Sequence, residues 1–251
     1  MKLRHTASLI SLLMLTACSS VPNKNPADPF ESFNRGVYTF NDKVDKAVAK
    51  PLAKGYSAVM PETGKIMVSN FFSNLDDILV TMNDLLQFKL KQGFSDGMRV
   101  LVNSTVGIGG LVDVASMGKL PKHNEDFGQT LGYWGVSEGP YLVLPLLGSS
   151  SLRDTVGLYP DSLASPISRT KPIRARNQMV VTKAINRRAQ LLENEKLLDE
   201  AALDRYQFLR DSYLANRKSL VYDGNAPREK YEDYDADEPT SGVVSAPAGV
   251  K

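Results

Sequence analysis

Histidine and cysteine are almost missing from this 251-residue sequence, which holds two of the first and one of the second. A transition-metal site draws on several such ligands. His123, in the polar run Lys122-His123-Asn124-Glu125-Asp126, has neither a second histidine nor a cysteine near it in the chain, and His5 lies in the leader. A disulfide framework needs cysteines in even number, so none is expected. No Gly-x-Ser-x-Gly elbow occurs, which disfavours an α/β-hydrolase, and a serine triad would have to rest on His123. Gly64-Lys65 lacks the upstream glycine of a phosphate loop, and in Gly107-Ile108-Gly109-Gly110 the third glycine of a dinucleotide fingerprint is replaced by Val112. Catalysis, metal and cofactor are therefore not expected. Charge of one sign is lacking too. Lys and Arg total 30 against 28 Asp and Glu, and losing Lys2 and Arg4 with a leader leaves 28 of each. A nucleic-acid binder gathers a basic excess on one face, so nucleic acid is not an expected partner. Apolar runs of the roughly 20 residues that cross a bilayer are also missing.

What is present starts at the amino terminus. Lys2 and Arg4 precede the apolar stretch Leu9 to Leu15, the layout of an export signal. Leu15-Thr16-Ala17-Cys18 then has the form of a lipobox, in which the Cys18 thiol takes a diacylglyceryl group. The plain alternative is a secretory signal with a chance cysteine. The lone cysteine of the chain falls at the one place where lipidation needs it, which favours the anchor. Ser19, rather than aspartate, follows it, and in the usual enterobacterial sorting scheme such a lipoprotein moves on to the outer membrane. The expected organisation is a leader over 1–17, a lipidated tether over 18–27, one helical domain over 28–222 and a disordered acidic tail over 223–251.

Within the domain, Asp28-Pro29 reads as a helix start. Phe30, Phe33, Val37, Phe40, Val44 and Val48 recur at helical spacing, and the helix is predicted to stop before Pro51. Pro61 opens another helix, and Asn74 reads as the cap of the next, with Asp76 and Asp77 in its first turn and a stripe running from Leu75 to Leu90. Residues 92–116 are rich in aliphatics but interrupted by Asn103, Ser104, Thr105, the three glycines Gly107, Gly109 and Gly110, and Asp113, which is too polar for a transmembrane helix. Twelve of the 18 glycines lie between residues 93 and 157. Among them, Tyr133 to Leu147, with Trp134, Tyr141 and Leu144, reads as a hairpin turning at Gly139-Pro140. Ser149 to Ser151 are expected to cap a short helix, and residues 173–193 and 197–221 to form two long ones. Arg174, Arg176, Arg187 and Arg188 either form a solvated face or meet lipid phosphates or acidic groups on a partner.

These motifs resemble the MlaA (VacJ) family. The resemblance rests on the lipobox, the opening Asp28-Pro29-Phe30-Glu31-Ser32-Phe33-Asn34-Arg35 and Tyr38-Thr39-Phe40-Asn41. It continues through Val102-Asn103-Ser104-Thr105-Val106-Gly107-Ile108-Gly109-Gly110, Phe127-Gly128-Gln129-Thr130-Leu131-Gly132, Gly139-Pro140-Tyr141, Leu144-Pro145 and Arg188-Ala189-Gln190-Leu191-Leu192. It implies an all-α fold, a ring of amphipathic helices in the inner leaflet of the outer membrane with a glycine-rich hairpin loop beside a polar channel. It implies no enzyme, but a passive phospholipid conduit that restores lipid asymmetry, next to a trimeric porin and emptying into a soluble periplasmic carrier. The alternative is a lipoprotein that only scaffolds porins. On this resemblance the Phe30 to Val44 stripe faces acyl chains, whereas Asn34, Asn41 and Asp45, with Asn103, Ser104 and Thr105, line the polar path. Phe40 and Asn41 are the gating candidates. Without it, the same stripes read first as the core of a soluble helical protein.

Overall fold

The computed structural model describes residues 25–193, Glu195 and residues 203–227. Cys18 with its lipobox, most of the tether and the acidic tail beyond residue 227 lie outside the described residues. The chain is helical apart from one two-stranded hairpin among the described residues.

Helix α1 (Glu31–Val44) is capped by Phe30, not by Asp28, which lies buried one turn earlier. It does not end at Pro51. A π-turn over Asp45–Ala49 leads directly into α2 (Lys50–Val59), where Pro51 sits in the first turn. Proline clashes with the carbonyl four residues back and has no N–H to offer, and a wider π-turn absorbs both defects without ending the helix. Extended Met60 and Pro61 break the chain, and α3 then runs unbroken over Glu62–Leu86. The expected cap Asn74 is inside this helix, buried, and its amide donates to Ser104 Oγ on the next one at 2.9 Å. No glycine or proline between residues 65 and 92 is available to end α3. After Phe88 in a left-handed turn, α4 (Leu90–Thr105) folds back along it. Gly93 and Gly97 face α3, and a Cβ on Gly93 would lie 3.1 Å from that of Asp84. No helix among the described residues is long and apolar enough to cross a membrane.

A turn through Gly109 and Gly110, both with positive φ, leads to the short α5 (Val114–Met117), capped by Asp113. Asp126 then caps α6 (Phe127–Tyr133). The hairpin that follows is shifted from the expected one. Its strands are β1 (Tyr141–Leu144) and β2 (Gly148–Ser151), antiparallel, with Tyr141 opposite Ser151 and Leu144 opposite Gly148. The turn is Pro145-Leu146-Leu147, with Leu146 at φ 64° and Gly148 at φ 89°. Gly139-Pro140 instead feeds β1, while Tyr133 and Trp134 end α6. Ser151 caps α7 (Leu152–Ala164) as expected, accepting from the Asp154 N–H at 3.2 Å. Helices α8 (Pro166–Arg169), α9 (Ile173–Leu191) and α10 (Arg205–Val221) complete the order.

Helices α6 and α7 cross at two glycines. A Cβ on Gly157 would lie 2.6 Å from the Gly128 backbone nitrogen, and one on Gly128 would lie 2.4 Å from Asp154 Oδ1. Backbone cannot yield to that contact as a side-chain end does. Gly157→Ala is thus expected to destabilise the fold by about 1–3 kcal/mol or more, measured as a shift of the denaturant midpoint, whereas Gly36→Ala, with open space around it, leaves the midpoint in place.

Candidate functional site

The polarity of the molecule is inverted. Among the described residues, buried positions hold 21 polar or charged side chains and nine hydrophobic ones. Large apolar side chains are turned outward on almost every element: Phe30, Phe33 and Phe40 on α1, Phe94 and Leu101 on α4, Val156 and Tyr159 on α7. On α1 the apolar stripe expected from the spacing divides: Phe30, Phe33 and Phe40 are exposed, Val37 is half-buried against Tyr141, Val143 and Tyr206, and Asn34 is fully buried.

Inward-pointing polar groups form three linked clusters. The first clamps the hairpin. Asn34 Nδ2 donates to Asp28 Oδ1 (2.8 Å) and to the Tyr141 carbonyl (3.0 Å), and Asn34 Oδ1 accepts from the Val143 N–H (2.9 Å). Two helical turns on, Asn41 Nδ2 donates to the Leu144 carbonyl (2.9 Å) and Asn41 Oδ1 accepts from the Leu146 N–H (2.8 Å). The two amides thus stand in for a third strand along β1, and a spacing of seven puts both on one face of α1. Beneath them, Tyr141, Val143 and Tyr206 form a small apolar seat with edge-to-face rings, and the Tyr206 hydroxyl donates to Asp28 Oδ2 at 2.5 Å.

The second cluster joins α6, α7 and α10. Arg217 holds Asp126 (2.6 and 2.9 Å) and Asp154 (2.8 and 2.9 Å), and the Tyr213 hydroxyl donates to Asp154 at 2.6 Å. Burial alone would push the Asp126 carboxyl up, but the Arg217 guanidinium outweighs it and keeps that carboxyl below its ordinary value. The third cluster lies between α3 and α4. Arg99, almost fully buried, reaches Asp77 at 3.5 Å and Asp113 at 3.2 Å, and Lys122 also pairs with Asp77. Asp84 and Asp96 are both fully buried. Burial, the neighbouring Asp96 carboxyl and Glu125 push the Asp84 carboxyl up to about 8 against the pull of Lys89. Asp96 Oδ2 is in turn 2.7 Å from His123 Nδ1, so the histidine considered for a triad is engaged by a carboxylate that itself belongs to this buried pair.

The positions singled out from sequence fall into two places. Asn34, Asn41, Tyr141 and Leu144 come together at the hairpin, although Asn34 is a buried clamp with its amide nitrogen and oxygen both engaged. Phe40, adjacent to Asn41 in the chain, is half exposed on the outer face. Asn103 is buried in the third cluster, donating to Asp113 (3.0 Å) and accepting from the Ala115 N–H (2.9 Å). Ser104 accepts from Asn74, and exposed Thr105 returns its hydroxyl to the Leu101 carbonyl. Trp134 Nε1 donates to the Leu86 carbonyl at 3.2 Å, fastening the end of α6 to α3. Sequence reading missed Asp28, Arg99, Asp126, Asp154 and Arg217. The signals available were an acid three residues before Gln129 and one three residues after Ser151, each at a helix start.

Beside the clamp lies a cavity of about 510 Å³ between α1, the hairpin tip, α9 and α10. Tyr38, Asn41 and Asp45 line one wall, and Leu146 and Leu147 the hairpin side. Arg188, held by Asp45 at 2.7 and 2.8 Å, closes the third. The space is amphipathic: aliphatic on the hairpin, charged opposite it.

These features define an all-α protein of inverted polarity with a hairpin held beside an amphipathic cavity. Residues 26–220 match the MlaA lipoprotein family, and the chain belongs to it. An uncharacterised protein of Rickettsia felis is 44% identical over 127 residues, and the chain spans about half the length of that relative, 51% of each being covered. The intermembrane phospholipid transport system lipoprotein MlaA of Shigella flexneri is 35% identical over 231 residues, covering 89% of this chain and 91% of the relative. A solved structure described as the structural basis for maintenance of bacterial outer membrane lipid asymmetry aligns with TM-score 0.69 and 34% identity, over 77% of this chain and 98% of that one.

Two outcomes are expected from the clusters. Asn34→Ala strands the Val143 N–H and the Tyr141 carbonyl in a buried place, at about 1–3 kcal/mol for each group left unpaired, and lowers the melting temperature. Asn41 is less buried, so Asn41→Ala leaves the melt nearly unchanged but speeds hydrogen exchange at the Leu146 amide. Asp84 binds its proton more tightly folded than unfolded. Its stabilisation is therefore present at acid pH and is lost as pH rises from the ordinary carboxylate value of 3.8 through about 8. Melting curves between pH 5 and 9 in detergent should fall less steeply for Asp84→Asn than for the unsubstituted chain.

Proposed function

We propose that this chain is a passive phospholipid conduit of the outer membrane. It would take mislocalised phospholipid from the outer leaflet and pass it to a soluble periplasmic carrier. The observation that carries this reading is the inverted polarity: aliphatic and aromatic side chains cover the outside while amides, carboxylates and guanidinium groups fill the interior. In water that arrangement forfeits the hydrophobic contribution that normally holds a fold together. In the acyl region of one leaflet it becomes favourable, because the apolar face meets hydrocarbon while the three clusters pair amides, carboxylates and guanidinium groups inside. The body lies in one leaflet as a ring of amphipathic helices, held there by the lipid on Cys18.

The path for a phospholipid is the cavity beside the hairpin. A headgroup needs polar partners and the acyl chains need apolar ones, and Asp45, Arg188 and Asn41 face Leu146 and Leu147 across it. Asn41 fastens the hairpin at its tip through Leu144 and Leu146, so the hairpin's position sets the width of that opening, which gives Asn41 its gating role. Such a path carries out no covalent step, and its direction is set by whichever acceptor removes the lipid. A porin trimer beside the ring would bring it within reach of the outer leaflet. The relatives named for intermembrane phospholipid transport support this reading.

The test is photo-crosslinking in cells with a photoreactive residue at Leu209, which lines the cavity, and at Gln190, exposed on the far side of α9. Phospholipid captured at Leu209 but not at Gln190 is expected. Capture of porin with no phospholipid at either position would favour a scaffold that moves no lipid.

A further inference from the structure

The stretch from residue 162 to 192 contains seven basic side chains and no acidic one, bracketed by Asp161 and Glu193. Two of the seven are neutralised across helices: Lys183 by Asp76 at 2.6 and 2.8 Å, and Arg188 by Asp45. Arg169, Lys171, Arg174 and Arg176, crowded into eight positions at the junction of α8 and α9, pair with no carboxylate among the described residues. Arg169 gives its Nε only to the Leu163 carbonyl, at 3.0 Å. The first turn of α9 likewise holds no acid.

This basic patch is not set in a polar surface. Arg169 borders a groove it shares with Ile78 and Met82 of α3, and Arg174 one it shares with Ile173 and Val181. Ile173 is 65% exposed and Leu163 55%. An acidic protein surface would meet the charges but leave those aliphatic groups in water. A leaflet of anionic phospholipid offers phosphates and acyl chains at adjoining depths, and arginine pairs with phosphate oxygens through two parallel N–H groups.

Resting on the reading that the body lies in one leaflet, we infer that Arg169, Lys171, Arg174 and Arg176 form an anionic-phospholipid docking surface. It lies apart from the hairpin cavity and fixes how deep and at what tilt the body sits. The phosphates of the leaflet set the level of the four cations, and the long stems of arginine and lysine let Ile173 and Leu163 lie below them.

The test uses the full chain reconstituted in vesicles of phosphatidylethanolamine with a minority of phosphatidylglycerol. A photoreactive residue is placed at Ile173 and, as a second site, at exposed Leu101 on α4. Phosphatidylglycerol should be captured at Ile173 several-fold above its bulk share, and at Leu101 close to that share. The enrichment should vanish in R169Q/K171Q/R174Q/R176Q, and raising the salt should weaken it in the unsubstituted chain, a measurement that needs no folded variant. Enrichment that survives either change overturns the proposal. Lipid at Leu101 with none at Ile173 also overturns it while leaving the leaflet reading intact, and capture at Ile173 of a peptide from residues 228–251 means that the acidic tail covers the patch. Lipid at neither site would remove the leaflet reading itself.

Discussion

Everything in this fold depends on pairing polar groups inside a body that has almost no apolar core. A soluble domain is held by the burial of aliphatic groups, and its buried polar atoms are incidental. Here the three polar clusters are what join the helices: Asn34 and Asn41 join α1 to the hairpin, Arg217 joins α10 to α6 and α7, and Arg99 with Asp77 joins α4 to α3. A buried charge left alone costs several kcal/mol, so each guanidinium is matched to carboxylates from other elements. The glycines belong to the same constraint. Gly128 must lack a side chain because Asp154 and Arg217 occupy the space beside it, and Gly157 because the α6 backbone does.

The amphipathic spacing was legible in the sequence, but it fixes two faces of a helix without saying which is inside. From their spacing alone Phe30, Phe33 and Phe40 read first as a core stripe, and only the family resemblance favoured a lipid-facing one. The helical class and the length of α9 followed from the spacing of aliphatics, whereas α10 begins at Arg205, after Asp204 as its cap, and not at residue 197 as expected; residues 197–202 lie outside the described residues. The cap assigned to Asn74 failed because an asparagine before two aspartates looks the same whether its amide turns back on its own helix or crosses to Ser104. The hairpin register was missed for a related reason. Ser149, Ser150 and Ser151 have no alternation of apolar and polar, and they form a strand only because Tyr141 to Leu144 lies alongside. Pro51 pointed to a break, where one π-turn carries the helix past it.

The candidate site was half legible. Asn41 and the hairpin were both singled out, yet nothing in the sequence said that they touch, 103 residues apart. Asn103 and Ser104 proved to be parts of the framework between α3 and α4 and not of the hairpin cavity. The long-range carboxylate–guanidinium pairs could not be read at all, because acids and bases 63 and 91 residues apart carry no local signature. What links framework to function is that the Asn41 amide holds the hairpin tip beside the cavity.

The central claim is that the apolar exterior faces hydrocarbon and the polar interior does not. Because Cys18 is the chain's lone cysteine and is taken up by the lipid anchor in this account, a single introduced cysteine can carry a spin label without competition. Labels at Phe33, Phe94, Leu101 and Val156, in the chain reconstituted into vesicles, should be relaxed by oxygen dissolved in the acyl region and shielded from a water-soluble nickel complex. Ready access of the nickel complex to all four positions would contradict the account and would return the exposed stripes to an aqueous or protein-covered surface.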